Sequence, residues 1–380
     1  MSKTICFIVA IPGTAQAFLS DHIRALSKEY DVFLVANSEL PDAMKDLPLS
    51  GYHVVKIERG ISLWNDLKGV LALKRYFKDM HFDAVHSVTP KAGLLTALAG
   101  FLARVPVRIH IFTGQVWANK MGFSRWLLKF MDKIIARLNT NILVDGEGQR
   151  QFLIRNGVVS KEKSQVLGKG SICGVNLERF SPSATVREAI RSELKIEADK
   201  TVFVFMGRLN HDKGLYELLP AFNRLAGERK NVYLLLVGSD EENVASHFSE
   251  YDHIIPGKNF CFYGPTNEPQ KLLQAGDVFV LPTYREGFGA SVIEASALGL
   301  PVICSDAYGV MDAMVDNVTG LRCKVGDVDS LNNAMSAFVD DPGMISQLGV
   351  AGHERVKVDF NGKEMSRLWV KFYQEIFAAE

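Results

Sequence analysis

The sequence predicts an α/β protein of two doubly wound, parallel-sheet domains, and three observations carry that reading. At 380 residues the chain is longer than the ~250–300 residues at which a single hydrophobic core stops growing. Short continuous apolar runs alternate with stretches of helical periodicity, the pattern of a parallel sheet covered on both faces. The alternation stops at a turn-rich join, Glu178-Arg179-Phe180-Ser181-Pro182-Ser183-Ala184, and then restarts. The expected division is 1–180, 181–360 and a C-terminal helix, 361–380, packing back on the first domain. The two sheets are expected to face each other across a cleft with the carboxyl ends of their strands, where doubly wound sheets bind ligands.

Taken in order, strands of the first domain are predicted at 5–10, 32–36, 84–86, 107–112 and 142–144. Helices are expected between them at 17–28, 63–78, 91–104 and 124–138. The first apolar run breaks at Pro12-Gly13, too early for the apolar region of a signal peptide, so it reads as a strand. In the second domain strands are predicted at 202–206, 233–237, 260–263, 278–281 and 302–304, with helices at 216–227, 269–274 and 290–298. The stretch 342–380 is helical and amphipathic, and Gly343, Gly349, Gly352 and Gly362 divide it into two or three helices. No internal repeat is visible.

Composition narrows the function. With 47% hydrophobic and 23% charged residues, the chain is neither disordered nor collagen-like. No apolar run reaches the ~18–20 residues of a membrane span, so a cytoplasmic protein is expected. Cys6, Cys173, Cys261, Cys304 and Cys323 are scattered without a C-x-x-C, which argues against a disulfide framework or a zinc site and for buried thiols. The zero net charge hides an asymmetry. Residues 1–180 hold 24 Lys and Arg against 15 Asp and Glu, a net of +9, and residues 181–380 a net of −9. A basic half points to an anionic partner: nucleic acid, anionic lipid or a phosphorylated acceptor.

Two segments carry chemistry. In Arg285-Glu286-Gly287-Phe288-Gly289-Ala290-Ser291-Val292-Ile293-Glu294, two carboxylates stand eight positions apart. The first lies in a Gly-rich loop after a strand, where Gly287 and Gly289 let backbone approach a ligand. The second lies about one turn into a helix whose N-terminus favours an anion or a hydroxylated ring. Taken alone, this is equally a helix N-cap region with two solvated acids. In Phe205-Met206-Gly207-Arg208-Leu209-Asn210-His211-Asp212-Lys213-Gly214, two cations follow a strand end, which suits a diphosphate. Alone, it is also a solvated loop.

Together the motifs resemble glycosyltransferase family 4, the retaining enzymes of the GT-B fold. The matching residues are Gly207-Arg208 with Lys213-Gly214, Leu236-Val237-Gly238, Asp277 to Thr283, Glu286-Gly287-Phe288-Gly289, Ile293-Glu294-Ala295, Gly299 to Ile303 and Asn317 to Leu321. The resemblance covers 200–325 and is looser but collinear in the first half. It implies two doubly wound Rossmann-like domains and transfer of a hexosyl group from a nucleotide-sugar donor to an acceptor. It implies Arg208, Lys213 and Glu286 as catalytic residues, with the two cations on the leaving diphosphate and Glu286 on the transferred sugar. Gly207, Gly238, Gly287, Phe288, Gly289 and Ala290 complete the donor site, and Glu294 takes the ribose. UDP is the family's commoner nucleotide, and the choice between UDP and GDP stays open. No Asp-x-Asp lies within these motifs, the one in the chain being Asp327-Val328-Asp329, so neither a metal nor another cofactor is expected.

The first half carries the acceptor in such enzymes. The segment Val85-His86-Ser87-Val88-Thr89-Pro90-Lys91-Ala92-Gly93 is similar to members working on bacterial surface polysaccharides, which implies a lipid-linked or glycan acceptor. Gly13 and Thr14 in the first strand-to-helix turn, His86 and Lys91 are candidates for the acceptor or sugar side, although His86 is equally a packed strand-end histidine. Family members often place a histidine where Phe112-Thr113 stand here. Thr113 and Gly114 are therefore expected to line the site, and whether His110 or Thr113 faces the donor sugar is open. Arg125, Lys129, Lys133 and Arg137 recur every four residues along an apolar helix. That stripe suits an anionic membrane surface on the inner leaflet, or is a solvated basic face. A nucleotide-sugar epimerase of the same fold and a non-catalytic phospho-ligand binder are the alternatives. Nucleic acid is not expected, because the sequence holds no recognised nucleic-acid-binding module.

Overall fold

The computed structural model describes residues 2–58, 60 and 62–379. The chain forms two compact units, Met1–Gly174 with Gly362–Glu380, and Val175–Asn361.

In the first unit, β1 (Thr4–Ile8), β2 (Asp31–Ala36), β3 (Gly51–Val54), β4 (Ala84–Val88), β5 (Val107–Phe112), β6 (Asn141–Val144) and β7 (Ser164–Gln165) form one sheet, ordered β3-β2-β1-β4-β5-β6-β7. Every pairing is parallel. The central strands are buried along nearly their whole length because helices cover both faces. On one face Val70, Leu73 and Phe77 of the helix Leu63–Met80 pack with Leu95 and Ala99 of the helix Pro90–Ala103. On the other, the helices Ser20–Leu26 and Gly362–Ala378 pack together over Phe7, Leu34 and Ile109. Met365, Trp369, Phe372, Tyr373 and Ile376 recur at the helical period, which gives the C-terminal helix its single apolar stripe.

The second unit repeats the plan. Its strands β8 (Thr201–Met206), β9 (Val232–Val237), β10 (Phe260–Gly264), β11 (Val278–Leu281), β12 (Val302–Ser305) and β13 (Gly320–Cys323) run in the order β10-β9-β8-β11-β12-β13, all parallel.

The strands missed from sequence, β3, β7 and β13, lie at or beside sheet edges. An edge strand is wetted on one side, so it lacks the continuous apolar run of a central strand. The helix expected at 17–28 is two short helices, Pro12–Phe18 and Ser20–Leu26. The division also moves. Residues 175–183 join the second unit: Val175 N donates to the Phe360 carbonyl, the Arg179 guanidinium reaches Gln270 and the Asn267 carbonyl, and Phe180 enters the core. Turn-rich composition marks a join, but the contacts on either side place it at Gly174.

Candidate active site

In the second unit β8 and β11 are neighbours, although the chain runs out to β9 and β10 between them. This is a topological switch point, and the loops leaving both strands diverge there. They are residues 207–214 and 282–289, the two segments singled out from sequence. Backbone packs closely around them. A Cβ on Gly238, at φ 144°, would meet the Gly207 carbonyl, so the exits of β8 and β9 touch. A Cβ on Gly309 would strike the Glu286 carbonyl. No strand or helix pattern marked Gly309.

The charges form pairs. Lys213 and Glu286 make an ion pair, with side chains 18% and 14% exposed. Arg208 is half exposed and donates to Glu241 at 2.9 Å, and Asn210 Nδ2 donates to the same carboxylate at 3.1 Å. Asn210 Oδ1 also accepts from Lys213 N at 3.2 Å, which fixes the short 3-10 turn His211–Lys213. Asn210, Glu241, Asp212 and Arg285 were not candidates from sequence, because a pairing between distant loops leaves no local pattern.

The helix Ala290–Ala297 begins after Gly289, at φ 92°. The Phe288 ring is buried against Phe360, 5.2 Å between centroids, so only the backbone of Phe288 belongs to the loop. Glu294 lies one turn into the helix. Burial pushes its carboxyl up to about 7, and the nearby Arg179 opposes the shift. Such a carboxyl changes charge near neutral pH, a property common among functional groups.

The first unit has its own switch point between β1 and β4. Gly13 is exposed and Thr14 partly exposed in the first turn after β1, and Thr113 and Gly114 follow β5 at the same edge of the sheet. Two other candidates are corrected. His86 lies mid-strand rather than at a strand end. It is fully buried, stacks on Trp369 at 4.9 Å and 11°, and shares a 2.8 Å hydrogen bond with the Tyr373 hydroxyl. Burial holds its pKa well below the usual imidazole range. Lys91 is engaged by Asp66 at 2.6 Å and by the Gly60 carbonyl at 2.7 Å, so its ammonium ties down the loop before the helix Leu63–Met80. His110 is buried as well. Its Nδ1 lies 2.9 Å from Ser87 Oγ, and its ring fills the place where a Cβ on Gly93 would stand. Of the pair left open, Thr113 is the one at the strand end.

The basic stripe divides. Arg125 and Lys129 lie over the buried Trp117 ring, each 5.4 Å from its centroid, and donate to the Ala118 carbonyl and Asn156. Lys133 and Arg137 are exposed. Trp117 Nε1 donates to Asp132 at 2.7 Å, and burial raises that carboxyl to about 7. Met121, Phe123, Trp126 and Phe130 are 87%, 73%, 58% and 47% exposed. Phe123 stacks on Trp126 at 5.7 Å and Trp126 on Phe130 at 5.5 Å. Among the described residues no helix is long and apolar enough to cross a membrane.

Two Rossmann-like units, the second holding paired cations and carboxylates at its switch point, define a transferase of the GT-B fold. The chain belongs to the glycosyltransferases: residues 186–355 match the glycosyl transferases group 1 family and residues 13–170 the glycosyl transferase 4-like domain. It is 30% identical over 352 residues, 92% of each chain, to the capsular polysaccharide biosynthesis glycosyltransferase CapM of Staphylococcus aureus. It is 25% identical, over 87% of its length and 86% of the relative's, to the Escherichia coli UDP-Gal:alpha-D-GlcNAc-diphosphoundecaprenol alpha-1,3-galactosyltransferase. Anabaena HepE, solved in complex with UDP, shares the fold with a TM-score of 0.80 at 17% identity, over 98% of this chain and 100% of that one. Transferase families matched over both halves displace the epimerase and the non-catalytic binder.

Proposed function

We propose that this glycosyltransferase moves a hexosyl group, with retention and without a metal, from a UDP-sugar to a lipid-linked acceptor in bacterial surface-glycan assembly. The observation that carries the reading is the Lys213–Glu286 ion pair at the β8–β11 switch point. One loop supplies a cation for the departing diphosphate and the other a carboxylate for the hydroxyls of the sugar. Arg208 adds a second cation, and Glu294 accepts from the ribose. Charge develops on the leaving phosphate as the anomeric C–O bond breaks, and fixed cations act where that charge appears. The acceptor oxygen bonds to the anomeric carbon on the face the diphosphate leaves, and its proton passes to the departing phosphate oxygen. No protein base is needed for this transfer. UDP and a diphospholipid-linked acceptor are supported by the names of the HepE complex and of the Escherichia coli relative.

Gly13, Thr14, Thr113 and Gly114 are assigned to the acceptor side. Peripheral docking on the inner membrane face belongs to the same reading. The exposed Met121, Phe123, Trp126 and Phe130 would enter the interface beside Lys133 and Arg137, and Leu63, Trp64 and Leu67 are exposed on the helix Leu63–Met80.

A donor panel tests the reaction. UDP- and GDP-hexoses are incubated with the protein, with and without bacterial lipid extract and with EDTA. UDP release that requires the extract and survives EDTA is expected, with the donor's anomeric configuration kept in the product. Release from GDP-sugars alone, loss with EDTA, or an inverted product overturns the corresponding part.

A further inference from the structure

Beside the Lys213–Glu286 pair, a second ion pair links the same two loops. Asp212 Oδ2 accepts from Arg285 Nε at 2.9 Å and from Arg285 Nη2 at 2.5 Å. The Asp212 carbonyl accepts from Thr283 Oγ1 at 2.8 Å and from Tyr284 N at 2.9 Å. The ring of His211 stacks on Tyr284 at 4.7 Å, and a Cβ on Gly214 would strike the Pro282 carbonyl. Along one loop, residues 211, 212 and 214 thus all meet residues 282–285 of the other. Asp212 immediately precedes Lys213, and Arg285 immediately precedes Glu286.

We infer that Asp212 and Arg285 are positioning residues, a clamp across the β8 and β11 loops that holds Lys213 and Glu286 in register for diphosphate and sugar. The inference rests on the donor reading above. An exposed ion pair contributes little to folding. This one is only 20% exposed at Arg285 and 32% at Asp212, and both forked donors of Arg285 engage a single carboxylate oxygen. The guanidinium is thereby oriented by Asp212, so Arg285 acts through its neighbour rather than on the donor. Its partner sets the sign of each loss. Without Arg285, one positive charge is lost beside Asp212 and Lys213, and the more negative local field disfavours a diphosphate. Without the Asp212 charge, the loops lose register but no anion is added.

The test is steady-state kinetics of nucleotide release on the full chain, with Asp212→Asn, Arg285→Ala, Arg285→Lys, the double variant Asp212→Asn with Arg285→Ala, and Lys213→Ala. Loss of positioning is expected to lower kcat about 10- to 100-fold in Asp212→Asn and in Arg285→Ala. The donor KM should rise in Arg285→Ala and not in Asp212→Asn. The double variant should be no slower than the worse single variant, the mark of one coupled unit. Arg285→Lys keeps the charge but loses the fork, so it should fall between wild type and Arg285→Ala with an unchanged melting temperature. A kcat within twofold of wild type in Arg285→Ala, or single losses that multiply in the double variant, overturns the clamp. If Arg285→Ala does not fold, a wild-type kcat in Arg285→Lys overturns it. Lys213→Ala separates the two readings: a dead Lys213→Ala beside an active Arg285→Ala sinks the clamp alone, and an active Lys213→Ala sinks the donor reading with it.

Discussion

Lys213 and Arg208 were equivalent as sequence and are not equivalent as structure. Lys213 is largely buried and faces Glu286, whereas Arg208 is half exposed and turned to Glu241. A cation removed from water interacts more strongly with a developing phosphate charge than one held in it. Lys213→Ala should therefore lower kcat by about 10²–10³ and Arg208→Ala by less, measured at saturating donor with the fold checked by circular dichroism. Equal losses would contradict the ranking. Glu294 gives a pH signature. Its carboxyl is raised to about 7, so it is mostly protonated at pH 6 and mostly ionised at pH 8. In the proposed donor reading the ionised form would accept from both ribose hydroxyls, so affinity for UDP should rise from pH 6 to pH 8 in calorimetric titrations. Glu294→Gln should flatten that slope, and a wild-type affinity independent of pH would remove Glu294 from the ribose.

Two helices behave differently as elements from what their patterns alone required. The C-terminal helix Gly362–Ala378 inserts Trp369 between two buried imidazoles, His22 at 4.5 Å and His86 at 4.9 Å, both within 11° of parallel. His22 also lies 3.0 Å from Ser366 Oγ and 2.8 Å from the Ile172 carbonyl. Burial lowers the His22 pKa from 6.5 to about 4 and holds that of His86 well below its usual value. Both are neutral in the fold and take up protons more readily when unfolded. Their contribution is therefore complete above pH 6.5 and is lost as pH falls from there toward 4. For His22 that is about 3 kcal/mol. The melting temperature should fall between pH 7 and pH 5, and less steeply with His22→Gln; an unchanged slope in that variant would exclude His22 as the group responsible. The helix Gly122–Leu138 instead leaves its aromatic ladder uncovered. Changing Phe123, Trp126 and Phe130 together to Ser should lower binding to anionic liposomes at least ~10-fold, since each buried aromatic contributes about 1.5–3 kcal/mol. Changing Lys133 and Arg137 to Gln should remove mainly the salt-dependent part. Wild-type binding in the Ser variant would leave the ladder without a lipid role.

At the scale of the molecule, the chain leaves the first unit once, at Gly174, and returns to it at Gly362. The first unit is therefore built from both ends of the sequence, and the second, Val175–Asn361, is one unbroken segment. Removal of residues 362–380 strips Trp369, Phe372 and Tyr373 from the first core and leaves the second core intact. Deleting one such aromatic typically costs about 3–5 kcal/mol, so the first unit should lose its cooperative fold. Hydrogen exchange of the truncated chain should show β1, β4 and β5 unprotected and β8, β9 and β11 protected. Equal protection in both units would mean that the C-terminal helix is dispensable.

The sequence alone determined the α/β class, the two repeats of the plan and the positions of the two loops that leave β8 and β11. Central parallel strands are buried on both faces, so they read as unbroken apolar runs, and ligand loops must follow their carboxyl ends. Gly207 to Gly214 and Glu286 to Glu294 were legible for that reason, and so were the strand-end turns at Gly13 and Gly114. Tertiary structure alone decided the rest. It moved the division to Gly174, showed β3, β7 and β13 at the margins of their sheets, buried His86 and His110, and tied Lys91 to Asp66. It also matched Lys213 to Glu286 and Asp212 to Arg285, about seventy residues apart along the chain. Each of these outcomes depends on which distant side chain occupies the neighbouring space, and local periodicity holds no record of that.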